Sequence, residues 1–240
     1  MGTDAVFYGA GARGRVESCT FRSIGGSSLK VVGGAKVSVR DLTATDVEKS
    51  VVLVESGSRV DVVGARMSGR LTTALLLEKD SQGDVSDLDV TGCVQAAIAV
   101  SGAKLTLARS TVRQASSNVL KVLEGGSCRA SALLIESGEV DFPLVNIYPN
   151  SSVSIASSTI RGGAESAVHH AGSSLELTDV SFEGVGGHAV MAVGSTGTLE
   201  RCTATDVGTG IEASSGCRLS VTATEVDGGE NGVVARGGAI

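Results

Sequence analysis

Two kinds of apolar run alternate along the chain. Residues 51–54, VVLV, are apolar at every position, whereas 59–63, RVDVV, set Val60 and Val62 on either side of Asp61, the period-2 pattern of a strand with one wet face. The two runs recur as a unit. Apolar strands begin at Val6, Leu29, Val52, Leu75, Ile98, Leu120, Val145, Val168, Val190, Ile211 and Val233, with successive differences between 21 (190 to 211) and 25 (120 to 145). After Gly/Ser turns such as GGAK and SGSR, a second, alternating strand enters at Val16, Val37, Val60, Val85, Leu105, Ala130, Val153, Leu175, Leu199 and Leu219. The fragments TATDV at 43–47 and 203–207 and TATEV at 222–226 repeat in the same frame.

A unit this short, built on period-2 strands with almost no helical pattern, cannot bury its apolar side alone; it is stable only when stacked on its neighbours. Leucine-rich repeats would need an Asn or Cys ladder, and the chain has only Asn118, Asn146, Asn150 and Asn231. The pattern therefore predicts an all-β, single-stranded right-handed parallel β-helix of ten to eleven coils, the hand following from the rule for parallel crossovers. Eleven coils at ~4.8 Å give a rod on the order of 50 Å long.

Segments such as SSLELTDVSFEGVGGHAVMAVGS at 173–195 resemble coils of the right-handed parallel β-helix superfamily, which includes pectate lyases, polygalacturonases, phage tailspikes and carbohydrate-binding and sugar-hydrolase repeat domains. The chain is also similar to bacterial β-helix domains attached to AAA-type ATPases. The resemblance spans nearly the whole chain; it implies a fold and leaves the activity open.

Composition narrows the classes further. With 240 residues, 42% of them hydrophobic, the chain is long enough for one substantial core, so 1–240 reads as a single domain. Neither end shows a polar cap, so the domain is expected to belong to a longer polypeptide. The net charge of −6 and the absence of a basic stripe argue against nucleic acid as a partner. No apolar run approaches the ~18 residues of a spanning helix and no signal-peptide pattern opens the chain, so no membrane association and a cytoplasmic location are expected. Of the five cysteines, Cys128 and Cys217 share a coil phase but lie four coils apart, and Cys202 and Cys217 sit on neighbouring coils at different phases, so no disulfide within the chain is predicted.

Candidate chemistry is sparse. GAGARG at 9–14 matches G-x-G-x-x-G but leads into a strand, with no helix N-terminus to receive a phosphate. His170 should point inward as a buried, hydrogen-bonded histidine, while His169 and His188 could approach across adjacent coils without a third ligand, so no metal or other cofactor is expected. Arg161, Glu183, Asp206 and Asp227 fall at nearly one coil position on four consecutive coils. A ladder of carboxylates beside an arginine suits an acid/base glycosidase or a calcium-dependent lyase, and this is the catalytic alternative, with polysaccharide as substrate and calcium as its cofactor. The polygalacturonase motifs are absent, and solvated turn charges are the simpler account. The longest coil carries Phe142 and Tyr148 beside Pro143 and Pro149, a possible binding loop or a bulge.

The non-alternating first strand yields the main functional expectation. Its outward positions are assigned to Phe7, Val32, Val51, Leu53, Ala74, Leu76, Ala97, Ala99 and Val119, interrupted only by Lys30 and Lys121. A stripe of that size should be covered, either by another copy of the chain or by an attached domain. The chain is therefore expected to be a non-catalytic interaction or assembly module centred on Leu53 and Leu76.

Overall fold

The computed structural model describes residues 3–138 and 140–237. The chain forms a parallel β-solenoid of about ten turns. Each coil carries three strands, one more than the two runs visible in the sequence. In the second coil face 1 holds Leu29–Val31, while one long strand, Lys36–Val54, passes through face 2 at 36–40, face 3 at 43–47 and face 1 of the next coil at 52–54. Every strand pairs with its counterpart one coil on, so Leu29, Val52, Leu75 and Ile98 stand in one column.

The corners explain why the chain turns where it does. Between faces 2 and 3 each coil has one residue in the left-handed region, among them Asp41 (φ 52°), Gly64 (φ 71°), Asp87 (φ 57°) and Asp179 (φ 54°). One such residue breaks the extended run and redirects it without adding length. Asp and Gly are the residue types that tolerate this conformation best.

The core is a stack of aliphatic layers. On face 1 the inward residues Leu29, Val31, Val52, Val54, Leu75 and Leu77 are fully buried, as the period predicts. Val51, Ala74, Ala97 and Val119, expected on the outward stripe, are buried as well. They sit at the corner before face 1, where the chain bends and two consecutive side chains point inward. The second-strand frame also needs a correction. Val16 pairs with Val39, and Val85 with Val62 and Leu107, so Val16, Val85, Ala130 and Leu199 lie two residues further along than Val37, Val60 and Leu105. Both columns point inward, and the error leaves the inside and outside of face 2 unchanged.

Candidate functional site

The outward column of face 1 runs Phe7, Lys30, Leu53, Leu76, Ala99, Lys121, each paired in register with the next. Leu53, Leu76 and Ala99 form a continuous, half-buried apolar strip with a lysine at each end. Val32 borders it, and Phe7, 61% exposed, lies beyond Lys30. The strip is narrower than the sequence suggested, because Val51 and Ala97 have gone to the core.

Beside the strip stands a second outward column, two residues further along each strand, that holds Glu55 and Glu78 on adjacent coils, followed in register by Ser101. Glu124, from the next coil, accepts a hydrogen bond from the Ser101 hydroxyl. Lys30 Nζ lies 3.5 Å from Glu55. Among the described residues Glu78 has no cation at bonding distance. Burial holds its carboxyl above the usual carboxylate range, helped by a hydrogen bond with Glu55 and by the Glu55 charge; the Lys79 charge acts the other way, and Glu124 adds a smaller push upward.

Several carboxylates on the other faces are instead set against arginines. Asp84 meets Arg59 at 2.5 Å, Asp87 meets Arg109 at 2.9 Å, and Asp179 meets Arg201 at 2.7 Å, each across one coil. The arginine partners hold Asp87 and Asp179 below the usual range.

The candidate catalytic column belongs to this paired class. Arg161 and Glu183 are register partners on face 3 and bond at 2.7 Å. Glu136 joins the ladder between Arg113 (3.5 Å) and Arg161 (4.0 Å), so four consecutive coils alternate in sign. Asp206 is out of register: Thr205 is the residue that pairs with both Glu183 and Asp227. Asp206 sits one residue later, at a corner with φ 52°. The geometry brings Arg161 to Glu183 and leaves Asp206 and Asp227 outside any carboxylate pair.

The second half of face 1 is mostly polar outside. Lys121 is followed in register by Asn146, His169, Met191 and Glu212. His169 Nδ1 lies 3.3 Å from Asn146 Oδ1, and His188 Nε2 lies 3.2 Å from Glu212 Oε2, so the two histidines bond to different partners instead of each other. Tyr148, expected on a loop with Phe142, instead flanks this column with Lys121 Nζ 5.1 Å from its ring centroid. Phe142 lies apart, lining a shallow cleft with Gln114 and Val140. His170 is buried as expected, but neither ring nitrogen has a hydrogen-bond partner, and burial holds its pKa down at about 4. No group of three or more His, Cys, Asp or Glu side chains suited to a metal occurs among the described residues. All five cysteines are free thiols, and burial pushes Cys93 and Cys128 up to about 12.

Face 2 carries a feature with no distinct mark in the sequence. A trough of about 1180 Å³ runs along it from Arg59 to Arg218. Its walls carry many hydroxyls, among them Thr106, Ser154, Ser174 and Thr198, with Arg129 and Glu176 near the middle. The signal was present as small polar residues at outward second-strand positions, but concavity is a property of stacked coils and cannot be read from any one of them.

Among solved structures the chain is similar to the Streptococcus pneumoniae surface protein and adhesin PfbA, with 8% sequence identity over 94% of this chain and 91% of that one and a TM-score of 0.32. No family model matches the sequence, and no curated protein matches it.

Proposed function

We propose that this β-solenoid is a non-catalytic interaction module whose docking surface is the first half of face 1. The carrying observation is the strip of Leu53, Leu76 and Ala99, three adjacent rungs that are apolar outside as well as inside. A face that only covered the core would need apolar residues on one side. Full burial of each leucine contributes roughly 1.5 to 3 kcal/mol, so a partner centred on Leu53 and Leu76 gains several kcal/mol. The neutralisation of Glu183 by Arg161 supports a structural role for the face 3 ladder and weighs against the glycosidase or lyase alternative.

The test is the double change Leu53→Asp and Leu76→Asp. Both side chains point away from the core, so the coil fold should persist while self-association in light scattering, or capture of a partner, weakens. Unaltered association together with collapse of the thermal transition contradicts the proposal. A second reading, binding of an extended hydroxyl-rich polymer such as a polysaccharide, is favoured by the face 2 trough. Retention on an immobilised polysaccharide that is lost when Arg129 and Glu176 are both changed to Ala supports it.

A further inference from the structure

The acidic margin of the apolar strip points to the chemistry of what docks there. We infer that the partner is a protein segment carrying apolar side chains next to lysine or arginine, an inference that rests on the docking role proposed for this face. The argument is charge complementarity. On faces 2 and 3 carboxylates are set against arginines on a neighbouring coil, as in Asp84 with Arg59, Asp87 with Arg109 and Glu183 with Arg161. At the margin Glu55 and Glu78 directly follow the register pair Val54–Leu77 on adjacent coils and interact there, and Glu124 closes on Ser101 one rung further.

Like charges stacked one coil apart oppose the folded state; burial first, and the neighbouring Glu55 after it, raise the affinity of Glu78 for its proton. Lys30 offsets part of it at one end, 3.5 Å from Glu55. Glu78, at the middle of the set and beside Leu76, is left without a cation. A chain that sets arginine against carboxylates at these other rungs, yet leaves Glu55 and Glu78 stacked beside its exposed leucines, has a surface that a cation from outside would complete. The leucines would take the apolar side chains, and Glu55, Glu78 and Glu124 would take the basic ones. The same charges disfavour an acidic segment or an anionic lipid surface.

Selection of random 16-residue peptides displayed on phage against the immobilised full chain reads this chemistry directly. Peptides whose binding is lost on Leu53→Asp with Leu76→Asp define the binders of this face. Those binders should be rich in Lys or Arg interleaved with Leu, Ile or Phe, and Glu55→Gln with Glu78→Gln should weaken them at least tenfold. The paired carboxylates of face 2 serve as control: Asp61→Asn with Asp84→Asn should leave binding within twofold. Binders that depend on the leucines but are neutral or acidic, or that ignore the glutamine changes, overturn the basic-partner inference and leave the docking role standing. If no selected peptide depends on the leucines, both fall.

Discussion

Face 1 changes character halfway along the rod. In the first half the column is apolar on both sides of the sheet: Val54, Leu77 and Val100 inside, Leu53, Leu76 and Ala99 outside. In the second half polarity enters on both sides. Asn146, His169 and Glu212 face out, and His170 takes an inward place between Ile147 and Ala192. The face 1 strands pair in parallel with the next coil in both halves, so the fold does not require the outer leucines. A residue type that the scaffold leaves optional, and that is unfavourable in water, points to a partner.

The sharpest contrast lies between neighbours. Leu75→Ala opens a cavity in the stacked core and should cost about 2–5 kcal/mol, whereas Leu76→Ala, one residue on and facing outward, should cost less than about 1 kcal/mol. Chemical denaturation of the two variants checks this, and equal losses would break the distinction between inner and outer columns.

The second half should lose stability on acidification, through buried His170. His170 has a folded pKa of about 4 against an ordinary value of 6.5. Between those values the unfolded chain binds more protons than the folded one, so stability falls as pH drops, by roughly 3 kcal/mol across the window. His170→Leu should flatten that part of the stability profile in thermal unfolding at pH 7 and pH 4.5. An unchanged slope would assign the sensitivity elsewhere.

Glu78 should show the opposite linkage. Its folded pKa is raised, so the ionised carboxylate disfavours folding, and stability is lost as pH rises from the ordinary value towards the folded one. Glu78→Gln should therefore modestly stabilise the unliganded chain at neutral pH, with the gain fading as pH falls towards the ordinary carboxylate value. A loss of stability at neutral pH would show that the margin is already compensated. The smallest effect belongs to the face 3 ladder. Arg161→Ala removes exposed pairs with Glu136 and Glu183 and should cost no more than about 1 kcal/mol, measured by denaturant titration.

The repeat was legible because the coil length and the inward columns are written as apolar spacing. The third strand was missed because it is short and its inward residues include Ala44 and Ala204, too small to stand out beside Thr and Asp. The corner residues Val51 and Ala97 were misplaced for a related reason: strict alternation holds within a strand and fails where the chain bends. Leu53 and Leu76 were identifiable because both lie inside strands. The Arg161–Glu183 rung was found, but Asp206 was drawn into it by a one-residue error that only hydrogen-bonded register resolves. Nothing in the local sequence marks the Glu55–Glu78 stack, since those residues are 23 positions apart (78 − 55) and meet only through coil stacking.

The account turns on the two halves of one column having different roles, and site-specific photo-crosslinking reads that difference. A photoreactive amino acid is placed at Leu76 in one sample and at Met191, on the same outward column, in another, and each is irradiated in cells expressing the chain. The account predicts a discrete crosslinked product from position 76 and none from position 191. Equal products from both positions, or a product from 191 alone, would contradict it.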